Sequence, residues 1–112
     1  MPRLSQLSRS IEGKVAIITG AGSGMGRATA HLFADEGAQV ALIDVNEAGL
    51  LAVQDELSQA GYVSRAWVLD LLDRDAIQTV VADIASHFGR IDILINNAGI
   101  SIPAPLRFRS LY

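Results

Sequence analysis

Thr19-Gly20-Ala21-Gly22-Ser23-Gly24-Met25-Gly26 is the stretch of this sequence best suited to hold a ligand. Gly20 permits a sharp exit from a strand, Gly24 lets backbone approach a pyrophosphate, and Gly26 lets a following helix pack closely. Such a helix would offer phosphates its unpaired N–H groups and partial positive charge. Spelling excludes two other loops. A P-loop needs G-x-x-x-x-G-K-[ST], but Arg27 follows Gly26 and the sole lysine of the chain is Lys14. G-x-G-x-x-G fails as well, because its last position would be Met25 counted from Gly20 and Arg27 counted from Gly22. The spacing present is T-G-x-x-x-G-x-G.

Asp44 stands 20 residues after Gly24. A carboxylate there can accept hydrogen bonds from adenosine ribose hydroxyls and would repel a 2′-phosphate. Its neighbours, Val45 and Asn46, are not basic, which favours NAD over NADP. The alternative role for Asp44 is a helix-capping acid near Asn46. Cysteine is absent, so disulfides, thiol catalysis and Cys-based metal sites are excluded. His31 and His87 lack zinc-ligand spacing and read as surface or packing residues, and Trp67 as packing within its strand. Twelve acids against nine bases give a net charge of -3, which argues against nucleic-acid or anionic-membrane partners. No apolar run approaches the ~18 residues of a membrane span. Arg3 and Arg9 have no apolar stretch behind them, so a frayed tail is preferred over a signal or transit peptide, and a cytoplasmic location is expected.

Regular elements must position these groups. Residues 15–19 read as a strand buried on both faces, ending at the glycine cluster. A helix follows, with Met25, Ala28, Leu32 and Phe33 on its apolar face, stopped by Gly37. Residues 39–45 read as a second strand. Asn46 can cap a second helix carrying Leu50, Val53 and Leu57 and stopped by Gly61. A third strand lies within residues 62–71. Asp73 can cap a third helix with the stripe Ile77, Val80, Val81, Ile84 and Phe88, stopped by Gly89. Residues 91–96 read as a fourth strand. Gly49, inside the second helix, is a mismatch of about 1 kcal/mol against alanine with no evident reason. The β-α-β-α-β-α-β alternation implies a parallel sheet with right-handed crossovers. There are no repeats and no linker.

The loop spelling resembles the short-chain dehydrogenase/reductase family. Asn96-Asn97-Ala98-Gly99 looks like the family's N-N-A-G after the fourth strand, and Asp70-Leu71 like its acidic-plus-aliphatic pair after the third. The resemblance covers about residues 11–102. It implies a Rossmann-type three-layer α/β half-domain, sheet order 3-2-1-4, truncated after the fourth strand. It divides the chain into a tail at 1–12, an NAD(P)-binding half-domain at 13–102 and an irregular tail at 103–112. Gly20, Ser23, Gly24, Met25, Gly26 and Asp44 would then hold the cofactor. Asp70 would bond the adenine amino group and Leu71 lie against the ring. Asn97, Ala98 and Gly99 would run beside the ribose nearest the nicotinamide, whereas Asn96 reads as an amide tying adjacent strands together.

The implied activity is NAD-dependent interconversion of alcohol and carbonyl. The family's tyrosine and lysine, spelled Y-x-x-x-K, are not in these residues. Four positions after Tyr62 is Ala66, Tyr112 is the last residue, and Lys14 precedes both. The chain is therefore expected to be the cofactor half of such an enzyme and inactive alone. The alternatives are a non-catalytic dinucleotide- or partner-binding module and a non-functional truncated product. Two helices on one face, one on the other, and an apolar fourth-strand edge predict self-association through that edge.

Overall fold

A computed structural model describes residues 11–98. Seven elements alternate in chain order: β1 (Val15–Thr19), α1 (Gly24–Asp35), β2 (Gln39–Asp44), α2 (Glu47–Gln59), β3 (Ser64–Val68), α3 (Arg74–Phe88) and β4 (Ile93–Asn96). The strands form one parallel sheet, as the alternation predicts, in the order β3-β2-β1-β4 that the resemblance implies. Apolar β1 lies at its centre and all five of its residues are buried. It pairs with β2 from Val15↔Gln39 to Thr19↔Ile43 and with β4 from Ala16↔Ile93 to Thr19↔Asn96.

Strand alternation sorts the core into two layers. Ala16, Ile18, Val40 and Leu42 face α1 and α2 and pack with Ala30, Ala34, Leu50, Val53 and Leu57. Ile17, Ala41 and Ile43 face the other side, where they pack with Leu69, Leu71 and Ile84 of α3. Of the stripe expected on α3, only Ile84 is buried; Ile77, Val80 and Phe88 pack partly. Trp67 leans on Phe88 and donates its indole N–H to Asp83 across 2.6 Å, so it joins β3 to α3.

The expected caps form. Asn46 and Asp73 accept from the amides of Gly49 and Ala76. Gly37, Gly61 and Gly89 all have positive φ, where a Cβ would be strained. The stripe on α1 differs from expectation. Met25 is 75% exposed, Leu32 is 57% exposed, and Ala28 also faces solvent. The buried face is Gly26, Ala30 and Ala34. Phe33, expected on the same face, does pack partly against the core. Close approach accounts for the small residues: a Cβ on Gly26 would overlap the Gly20 carbonyl, so the head of α1 lies against β1 through backbone.

The fourth strand starts two residues later than its apolar run suggests. Asp92 clips onto the start of β1 instead. Its amide donates to the Val15 carbonyl (3.0 Å), and its carboxylate accepts the Val15 amide (2.9 Å) and both prongs of Arg90 (2.8 Å each). Residues 11–13 straddle the boundary expected between tail and domain. There the Gly13 amide donates to the Gly37 carbonyl at 2.9 Å. Residues 1–10 and 103–112, which make up nearly all of both expected tails, lie outside the described residues.

Candidate functional site

The glycine loop and the segment after Asn96 leave the carboxyl ends of the parallel neighbours β1 and β4, where the strand order reverses, the switch point at which open α/β sheets hold ligands. Thr19 organises this end. Its buried hydroxyl donates to Asn96 Oδ1 at 2.7 Å and accepts from the Asn97 amide at 3.0 Å. Asn96 Oδ1 also accepts from the Ala98 amide at 3.2 Å. Asn96 therefore ties strands together, as its sequence reading expects. Asn97 projects a buried Nδ2 that has no acceptor among the described residues. Gly99 lies outside them.

The glycine loop leaves β1 through Gly20, at φ +64°. A Cβ there would sit 2.9 Å from the Asn97 carbonyl oxygen, so the two loops touch through backbone. The Ala21 amide donates to the Ile43 carbonyl at 3.0 Å, and the Gly22 amide to Asp44 Oδ2 at 2.9 Å. Gly24 has φ +58°, and no protein atom lies within 4 Å of where its Cβ would be. That open side is where an approaching phosphate would need room. Ser23 occupies the N-cap position but its side chain makes no capping bond. The Arg27 amide reaches the Ser23 carbonyl at 3.3 Å, whereas the Gly24, Met25 and Gly26 amides have no acceptor among the described residues. Unpaired donors at a helix N-terminus are suited to an anion.

Beside the loop, Gly20, Ile43, Asp44, Val45, Leu69, Leu71 and Ala98 line a cleft of about 110 Å³. Asp44 is the one residue of this lining with a charged side chain. Asp44 Oδ1 accepts from the Asn46 amide at 3.1 Å and Oδ2 from Gly22, so backbone donors fix both oxygens. Asp44 thus serves the turn into α2 and presents a charge to the cleft. Leu71 is buried in the cleft wall. Asp70 is exposed, accepts from the Leu72 amide at 2.9 Å, and is not part of the wall. Ile43, Val45 and Leu69 escape a motif-based reading because they contribute by position at strand ends. Met25, in the first turn of α1 beside Gly24, is mostly exposed.

Neither histidine lines the cleft. His31 Nε2 lies 2.7 Å from Glu56, and His87 stacks edge-on against Phe88. Arg27, the basic residue closest in sequence to the loop, is committed to Glu56 through two hydrogen bonds of 3.0 and 2.6 Å. No group of metal-ligating side chains occurs among the described residues, and none of their helices is long and apolar enough to cross a membrane.

A glycine loop at the head of a Rossmann-like sheet is shared by many proteins, so the extent of the match decides the family. The family model for short chain dehydrogenases matches residues 14–110. This chain belongs to the short-chain dehydrogenase family. It is 40% identical over 101 residues to the D-threitol dehydrogenase of Mycolicibacterium smegmatis, an alignment covering 90% of this chain and 39% of that protein. An NAD+-bound xylitol dehydrogenase superposes with a TM-score of 0.77 at 38% identity, over 80% of this chain and 35% of the other. A metagenomic short-chain oxidoreductase in complex with NADP gives 0.77 at 36% identity, over 88% and 45%. This short-chain dehydrogenase chain thus spans about 39% of the length of its curated relative. The matched region is the half that carries the glycine loop, the cleft and Asp44.

Proposed function

We propose that this chain is the NAD-binding half of an oxidoreductase that interconverts an alcohol and a carbonyl. The observation that carries this reading is the Asp44 carboxylate, held by two backbone amides at the rim of the cleft. Each oxygen retains acceptor capacity for a ribose hydroxyl. An anionic 2′-phosphate placed at the same point would meet a like charge, with no basic side chain in the cleft lining to offset it. The relatives include both an NAD complex and an NADP complex, so the preference rests on Asp44 rather than on the family.

In this reading the Gly24–Gly26 amides receive the pyrophosphate, with Ser23 and Met25 flanking it. Leu71 lies against the adenine ring, and Asp70 receives the adenine amino group by resemblance. Asn97, Ala98 and Gly99 border the nicotinamide ribose. The dinucleotide would accept the hydride from the alcohol or, in its reduced form, donate it to the carbonyl. A proton must move with it, and a placed acid or base contributes roughly two to four orders of magnitude in rate. No Y-x-x-x-K pair occurs in these 112 residues, so the proposal assigns them binding and not proton transfer. The substrate is some alcohol or carbonyl compound, and the location is cytoplasmic. Self-association through the outer edge of β4 belongs to the same proposal.

A thermal-shift titration tests the reading. A ligand that binds only the folded chain stabilises it by about 2.7 kcal/mol at a hundredfold excess over its dissociation constant. NAD should stabilise more than NADP at equal concentration, and Asp44→Ala should narrow the gap. NADP as the better stabiliser would overturn the preference.

A further inference from the structure

Gly49 has no local reason to be glycine. It lies in the first turn of α2 and does not have positive φ. Its amide donates to Asn46 Oδ1 at 3.2 Å, a bond any non-proline residue could make. Glycine at such a place costs about 1 kcal/mol against alanine. What requires glycine is space. A Cβ on Gly49 would lie 2.5 Å from the Gly22 carbonyl oxygen and 2.9 Å from Asn46 Nδ2. A Cβ on Gly22 would lie 2.9 Å from Asp44 Oδ2 and 3.4 Å from the Gly49 carbonyl carbon. Bare backbone at Gly22 therefore packs against both the Asp44 carboxylate and the first turn of α2.

The two residues that a Gly49 side chain would strike, Gly22 and Asn46, are the same two whose amides hold Asp44. We propose that Gly49 is a positioning residue: its missing side chain lets α2 press the glycine loop onto Asp44 and so sets that carboxylate for recognition of the adenosine ribose. The consequence for ligand choice rests on the dinucleotide reading above. The contact with Asp44 does not.

The test uses the full 112-residue chain as wild type, Gly49→Ala, Asp44→Ala and the double variant. NAD and NADP dissociation constants are measured, and the Gly22 amide proton is followed by NMR as the Asp44 carboxyl is titrated. Gly49→Ala should weaken NAD about tenfold, the scale of one hydrogen bond to a charged group, and NADP much less. In the Asp44→Ala background it should change the NAD-to-NADP ratio no further, because both substitutions act through one carboxylate. The Gly22 amide should follow the Asp44 titration in wild type and cease to follow it in Gly49→Ala. An unchanged ratio, a Gly22 amide that still tracks Asp44 and a higher melting temperature would show a mere helix mismatch and overturn the proposal. If wild type binds neither dinucleotide, the dinucleotide reading fails. The Gly22 titration then decides the positioning role alone, with loss in Gly49→Ala supporting it and persistence refuting it. Should Gly49→Ala not fold, Gly22→Ala crowds the same carboxylate from the loop side, and an unchanged selectivity there refutes the proposal equally.

Discussion

Glu56 sits on α2, and two side chains of α1 share its carboxylate. Arg27 grips both oxygens and His31 approaches Oε1. The Arg27 guanidinium first, and His31 second, hold this carboxyl down to about 2 from an ordinary 4.5. Asp92 is also lowered, by Arg90 first and then by the Val15 amide. A carboxyl whose folded pKa is depressed adds stability above its unfolded value and loses it as pH falls toward the folded one. The melting temperature of wild type should therefore fall as pH drops from 4.5 toward 2. Glu56→Gln should unfold more easily than wild type at neutral pH and show a flatter decline in that window. The effect is small, because exposed pairs are screened by solvent and salt. An unchanged pH profile in Glu56→Gln would show that the bridge between α1 and α2 contributes nothing. Arg27 matters to the site for a second reason. Its charge is spent on Glu56, which leaves Asp44 as the charged side chain in the cleft lining.

Among the elements, α1 shows where sequence patterning stops being informative. Two of its large apolar residues, Met25 and Leu32, face solvent and Phe33 packs only partly, while Gly26, Ala30 and Ala34 face the sheet. Hydrophobic periodicity weights side-chain size, but the separation of α1 from β1 is set by the Gly26–Gly20 backbone contact, a tertiary fact. Ala30→Leu should thus cost about 1–3 kcal/mol through overpacking. Leu32→Gln should stay within about 0.5 kcal/mol. Denaturant midpoints check both, and the reverse ranking would refute this placement of α1. The other two helices were legible because their signals are local: Asn46 and Asp73 bond amides three residues on, and Gly61 and Gly89 terminate by their own φ. Asp44 and the glycine loop were legible by spacing. Ile43, Val45 and Leu69 were not, since they reach the cleft only by ending adjacent strands in register. The purpose of Gly49 was invisible for the same reason, as its partner Gly22 belongs to a different crossover.

At the scale of the whole molecule, the sheet is covered unevenly. Two helices pack over one face and α3 alone over the other. All four β4 residues remain half-buried, and among the described residues β4 pairs only with β1. Unpaired apolar edges recruit other strands. Sedimentation of the isolated chain at micromolar concentration should show association, reduced by Ile93→Lys or Ile95→Lys, while a stable monomer would contradict it. The central claim remains the site at the carboxyl ends of the strands, and an amide NMR titration with NAD tests it most directly. Resonances of Gly22, Gly24, Met25, Gly26 and Asp44 should move together along one saturating curve, with His87 and other α3 residues unchanged. Shifts absent from the glycine loop, or spread evenly over α3, would contradict the account.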